Sequence, residues 1–365
     1  QAAGFHTNNF QLTLSVTNQG AAIHYTLDGS EPTESSPLFA GPILITNRTA
    51  APNNLSLIPT VPSGYQPPAG LVFKGTVVRA KAFKTGALQS ATVTRTFFID
   101  GRARYTVPVI SLATESANFF DPNIGIYVPG NAPGGNYSQR GNNWERPVHV
   151  EFFETDGALA LAQDAGVKIH GNTSQNFPIK GLDLDGTGGQ GRQPFRHRIF
   201  PERARAEFAH FLLRPSGQDY YLALMRDEFM QSLAAEFGME TQAARLAVVF
   251  LNGEYWGLHY LKEKEDADFV AYRRTTCATL PTTRTCRRSW KCPTTSTTRS
   301  PRFSITAGTS GTTGCGVRAR PAVAGAGCSS TMTSGSAVSR PWRPPGGSTC
   351  SPTTSNRTGR GPNTR

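Results

Sequence analysis

The sequence predicts an α+β protein in three parts: an antiparallel β-sandwich over residues 1–100, a second β-rich region with one helix over 105–272, and an irregular tail over 273–365. Three observations carry that division. Residues 1–100 alternate short apolar and polar runs with turn clusters and show no helical period. The period changes only after the Arg214-Pro215-Ser216-Gly217 turn, where Met225, Phe229, Met230, Leu233, Ala234 and Phe237 share one face of a helix that stops at Gly238. From Thr275 to Arg365 there is no Asp or Glu, yet the stretch holds twelve Arg, Lys291 and all six cysteines.

In the first part, residues 10–16 and 22–27 read as strands, with Asp28-Gly29 as a tight turn before Glu31-Pro32-Thr33. Residues 76–83 and 91–99 alternate again around Lys84-Thr85-Gly86. Turn chemistry accounts for Asp28 fully, so a catalytic pairing with Glu31 is not needed. In the second part, residues 105–112 form an apolar run with Pro108 near its middle, which predicts an edge strand. Strands follow at 148–153, 165–170 and 182–184, with small polar residues in the loops between them. Residues 247–251, Asn252-Gly253 and 255–261 make the strongest hairpin signal in the chain. The helical face at 225–237 requires cover, from the hairpin or from the sheet over 148–184.

The net charge of +12 belongs to the tail alone. Of the 37 basic residues, thirteen lie beyond residue 274, leaving 24 against 25 acidic ones. The charge therefore gives no support to nucleic-acid binding by the folded part. No run approaches the ~20 apolar residues of a membrane span. The chain opens on Gln1 without a signal peptide, which suits a fragment or a mature product. A Thr/Ser/Pro-rich stalk is one reading of the tail. The other is a frameshift near 272–275, because a GC-rich strand translated out of phase gives this Arg/Pro/Ala/Gly/Thr/Ser/Cys mixture. In a shifted phase, with degenerate third bases chosen freely, residues 324–339 can spell W-R-W-V-L-F-D-Y-D-F-G-F-G-G-L-S. The Asp after the Tyr is forced by the single Met332 codon followed by Thr333.

Two resemblances follow from these residues. The stretch from Ile23 through Asp28-Gly29-Ser30-Glu31-Pro32-Thr33, together with Gly75 to Phe83, resembles the immunoglobulin-like module at the C-terminal end of chitobiases and β-hexosaminidases. That module is an accessory sandwich without catalytic residues. The blocks Gly166-Val167-Lys168-Ile169-His170-Gly171-Asn172-Thr173-Ser174, Pro178-Ile179-Lys180, Met225-Arg226-Asp227, and Leu251-Asn252-Gly253-Glu254-Tyr255-Trp256-Gly257-Leu258-His259 resemble the spore-coat CotH family of atypical secretory kinases. The resemblance spans roughly 105–270. It implies an incomplete kinase-like, two-lobed fold and ATP- and Mg²⁺-dependent transfer of phosphate to Ser or Thr of surface or coat proteins, outside a bacterial cytosol.

On that resemblance Lys180 is the phosphate-contacting lysine, Gly171, Asn172, Thr173 and Ser174 form the adjoining nucleotide loop, and Glu263 lies near the adenine pocket. From the residues alone, Lys180 reads most simply as a solvated strand lysine. Glu263, Glu265 and Asp266, alternating with Lys262 and Lys264, read as a solvated strand end, and His170 as structural. Phosphoryl transfer needs carboxylates to hold Mg²⁺ and to orient the hydroxyl. The family's acidic motif occurs only in the shifted phase, and no acid follows Asp268, so the chain as it stands is expected to be inactive. The rival reading is a non-enzymatic surface module that binds glycan or coat protein through the sandwich. Zinc and serine-hydrolase chemistry have no motif here.

Overall fold

The structure, a computed structural model, describes residues 1–100 and 104–279. Its α+β class is the expected one, a sheet domain followed by a larger sheet-rich region. The N-terminal strands are β1 (Gly4–His6), β2 (Phe10–Leu12), β3 (Ala22–Thr26), β4 (Ile43–Ile45), β5 (Thr76–Phe83) and β6 (Val93–Ile99). They form a four-stranded sheet in the order β1-β6-β5-β3, facing the β2-β4 pair. β1 runs parallel to β6, so one edge departs from the antiparallel pattern. Leu12, Ile43, Ile45, Val78, Phe97 and Ile99 fill the space between the layers. Asp28 makes the turn as its spacing predicts, its Oδ1 accepting from Ser30 N at 3.0 Å.

The second region is a closed barrel. Its strands are β7 (Val109–Ala113), β8 (Arg146–Phe153), β9 (Leu159–His170), β10 (Gly181–Asp185), β13 (His210–Arg214), β14 (Ala244–Leu251) and β15 (Glu254–Glu263), ordered β10-β13-β15-β14-β7-β8-β9. A short pair, β11 (Phe195–Arg196) and β12 (Glu207–Phe208), lies outside that closure. The helices are α1 (Ser116–Phe120), α2 (Arg226–Glu236) and α3 (Ala267–Thr279). None of them is long and apolar enough to cross a membrane.

Three expectations change. β7 is no edge strand: it pairs antiparallel with β8 and parallel with β14, and all five of its residues are buried. Pro108 sits one residue before the strand, where its carbonyl accepts from Val248 N at 2.9 Å and its missing N–H costs no ladder bond. The apolar face of α2 is not covered, with Met225, Phe229 and Met230 exposed and Phe237 81% exposed. The opposite side carries Asp227 and Glu228 to the buried Lys262, and that attachment fixes the helix polar side inward. α3 runs through residue 279, so the first residues of the stretch expected to be irregular are helical. Arg273 anchors it to Glu240 at 2.7 Å. The rest of the tail, with the frameshift reading of it, lies outside the described residues.

Sandwich and barrel meet along an apolar seam of Phe73, Phe98, Val109, Phe153, Val248 and Phe250. The Phe98 and Phe250 rings lie 4.7 Å apart. Each fully buried side chain of this kind contributes about 2 kcal/mol. The Asn252-Gly253 turn joins β14 to β15 with both residues at positive φ, 47° and 83°, as a type I′ hairpin requires. The same turn is the polar centre of the seam. Gly253 O accepts from Gly75 N at 2.8 Å, and a Cβ on Gly253 would stand 2.5 Å from Gly75 O. Asn252 Oδ1 accepts from Thr114 N at 2.9 Å while its Nδ2 donates to Thr114 O at 2.8 Å. Glu254 then accepts from the N–H groups of Asn54, Leu55 and Ser56 at 3.0, 3.3 and 2.8 Å.

A second acid lies in the seam. Glu151 on β8 is buried against β6, and burial pushes its carboxyl up to about 7, with neighbouring Thr96 and Arg95 opposing that rise only in part.

Two outcomes are expected. Glu254→Ala removes three backbone caps at once and lowers unfolding stability by about 3 kcal/mol, read by urea denaturation. Because the folded state holds the Glu151 proton more tightly than the unfolded chain, its contribution is fully present at acid pH and is lost as pH rises through about 7. Glu151→Gln should therefore flatten the fall in melting temperature between about pH 5 and pH 8 and raise it at the upper end.

Candidate functional site

Strand pleating sorts the residues of β9, β10, β13 and β15 between two faces. Val167, Leu184, Phe211 and Glu263 share the inner face, as do Ile169, Leu182, Leu213 and Leu261. Lys168, Asp183, Leu212 and Lys262 are neighbours on the outer face. The outer face is a field of charge. Lys168 bridges Glu145 at 3.0 Å and Asp185 at 3.4 Å, and Lys264 holds Asp183 at 2.6 Å. Burial disfavours the Asp183 charge, but its bonds from His210 and Lys264 outweigh that and keep it below the ordinary carboxylate range.

At one end of this face lies a cavity of about 280 Å³, lined by His170, the Gly171 to Ser174 loop, Leu212, Arg214, Gln218 and Lys262. The loop leaves β9 through Gly171 at φ 110°, where a Cβ would stand 2.4 Å from Ser174 Oγ. Only glycine fits there. Residues Thr173–Asn176 then coil into a short 3₁₀ turn. Arg214 and Lys262 both reach Asp227 of α2, and Lys262 also reaches Glu228 at 3.0 Å. Asp227 is buried enough to oppose its charge, yet Lys262 and Arg214 hold it below the usual range. Burial pushes the His170 imidazole down, with Asp183 opposing and Arg214, Lys264 and Arg140 assisting.

Of the residues singled out from sequence, the structure brings Gly171, Asn172, Thr173 and Ser174 together in the cavity wall. Lys180 stands behind that wall. It is 0% exposed rather than solvated, and its Nζ donates to Gln175 O and Phe177 O, each at 2.8 Å. The ammonium lies 4.1 Å from the Tyr137 ring centroid and 5.5 Å from that of Tyr127. Burial without a carboxylate partner pushes Lys180 down to about 7. Tyr127 accepts from Lys180 N at 2.6 Å and from Trp256 Nε1 at 3.2 Å, closing a buried polar knot beneath the loop.

Glu263 is likewise 0% exposed, because its place on β15 faces inward. Its Oε2 accepts from Ala243 N at 2.9 Å and lies 3.6 Å from Arg203 Nε. It is not among the cavity's lining residues, and its carbonyl accepts from one of them, Gln242, at 2.9 Å. Lys262 reads from its alternation with Glu263 as a solvated lysine, whereas it is 1% exposed and paired to α2. An i, i+2 parity count outward from Leu261 places it on the outer face.

The polar groups at the cavity are the loop and two cations, Arg214 and Lys262, both paired with Asp227. Backbone N–H groups of a small-residue loop can approach phosphate oxygens, with Arg214 and Lys262 beneath. They do not suit Mg²⁺. Among the described residues no group of three or more His, Cys, Asp or Glu is placed to hold a metal, and Asp227 is already committed to cations.

Residues 167–283 match the family model described as CotH kinase protein, and residues 12–97 match the Fn3-associated family. The chain thus carries a CotH kinase domain preceded by an Fn3-associated, immunoglobulin-like module. No curated protein matches it. Every lining residue named above falls inside the CotH span.

Lys180→Ala should loosen the loop, since it removes both carbonyl ties and the cation over Tyr137. Hydrogen exchange at the amides of 171–176 is expected to speed at least about tenfold, with a smaller change on β14.

Proposed function

We propose that the cavity beneath the Gly171 to Ser174 loop receives phosphates of ATP in a CotH-type protein kinase acting on Ser or Thr of surface or coat proteins outside the cytosol. The observation that supports this best is the joining, within the CotH span, of a small-residue loop to Arg214 and Lys262 at one opening of the barrel face. Loop amides and Arg214 would bind the phosphates, and the Lys262 bridge to α2 would hold that helix at the site. Lys180 supports the reading as the internal tie of the loop.

Transfer also needs acids that hold the metal and orient the hydroxyl, and among the described residues no group of three or more His, Cys, Asp or Glu is placed to hold a metal. In this reading those acids are encoded in the shifted phase of the tail, and the chain as it stands transfers no phosphate. With γ-labelled ATP and Mg²⁺, a version with the frame restored should label protein substrates, and Lys180→Ala should cut that labelling by about two orders of magnitude. The unrestored chain should stay silent. Measurable transfer by the unrestored chain would falsify the assignment of the acids.

A second reading, binding of glycan by the sandwich without catalysis, is favoured by one feature. A cavity of about 560 Å³ opens on the sandwich, lined by Leu12, Leu14, Val16, Val78 and Phe97.

A further inference from the structure

A separate cavity of about 440 Å³ lies in the seam between sandwich and barrel, and it shares no residue with the loop cavity. His149 of β8 forms part of its wall and is 8% exposed. The ring Nδ1 sits 2.7 Å from Asp164 Oδ1, directly opposite on β9. The other nitrogen, Nε2, is buried and has no partner among the described residues. Leaving such a group unmet costs about 1–3 kcal/mol, so its persistence at a cavity wall marks a place where something else supplies the partner.

The charges around it point to the sign of that partner. From the sandwich, Arg79 and Lys81 reach the cavity, and both pair with the single Glu31, at 2.5 and 3.2 Å. Arg79 Nε is buried and without a partner, like His149 Nε2. Arg192 stands exposed at the cavity wall. Glu115 is already used, accepting from Glu31 N. Asp164 is held below the ordinary range by its His149 hydrogen bond first, with burial opposing and Arg79 and Arg192 assisting. Beside the unpartnered His149 Nε2 the free groups are thus the cations Arg79 Nε and Arg192, while each acid that faces His149 is engaged.

We propose that this interdomain cavity is a binding site for a small oxyanion, a carboxylate or phosphate group, recognised by His149 Nε2, Arg79 Nε and Arg192. In the bound state both ring nitrogens donate, Nδ1–H to Asp164 and Nε2–H to an anion oxygen.

The test is a titration of the full chain with sodium phosphate, and in parallel with sodium acetate, following the His149 ring resonances by ¹⁵N and ¹³C NMR. His149→Gln identifies those resonances by their loss. In at least one arm they should move saturably toward the doubly protonated pattern, and the arm that responds assigns phosphate or carboxylate chemistry. Arg192→Ala, an exposed change that leaves the packing intact, should weaken that response about tenfold. Resonances that stay fixed in both arms, or an Arg192→Ala chain that binds as tightly as its parent, would overturn the site. Because the readout is local to His149, the result is independent of phosphate entering the loop cavity.

Discussion

Residues Asn252, Gly253 and Glu254 join the hairpin, the chain after β7 and the sandwich loop at one point. The positive-φ pair closes the β14–β15 hairpin, the Asn252 side chain fastens the chain after β7, and Glu254 caps three amides of the sandwich loop. A buried carboxylate is tolerable only when its lone pairs are met, and here backbone N–H groups of another domain meet them. The sandwich loop in turn depends on that acid. Lys74, pushed down by burial and partly restored by Glu254, ties Ala51 O and Asn53 Oδ1 beside it.

Seen from that turn, the two polar systems of the barrel divide by parity. Outer-face residues form the ion-pair field around Lys168, Asp183 and Lys262, and inner-face residues form the apolar core with Glu263 among them. Glu263 and Lys262 are adjacent in sequence and serve opposite sides of the wall. That is why one reaches Arg203 and the other reaches α2.

Much of this was legible from sequence where local chemistry decides the outcome. Asp28-Gly29 and Asn252-Gly253 are turns because their side chains and φ values permit little else. The small-residue loop at Gly171 was readable for the same reason. What escaped reading depended on partners far along the chain. Pro108 looked like an edge marker because its neighbour Val248 is distant in sequence. The α2 pattern at Phe229 and Phe237 predicted a covered face, whereas the pairing of Asp227 with Lys262 turned that face outward. Lys180 and Lys262 read as solvated because nothing local reveals Tyr137 above one or Glu228 beside the other. His149 gave no signal at all. Its meaning comes from Asp164 across the ladder and Arg79 across the seam.

The parallel pairing of β7 with β14 has a consequence for synthesis. Val109 finds its partner Val248 only after the whole intervening chain has left the ribosome, so the barrel cannot close before β14 is made. Until Glu254 emerges, the amides of Asn54 and Ser56 also wait uncapped. Closure of the barrel therefore waits on the β14–β15 hairpin, and until then the edge of β7 that pairs with β14 has no partner strand. Once β15 has emerged, every closing strand is present, and what is translated afterwards no longer decides whether the barrel can shut.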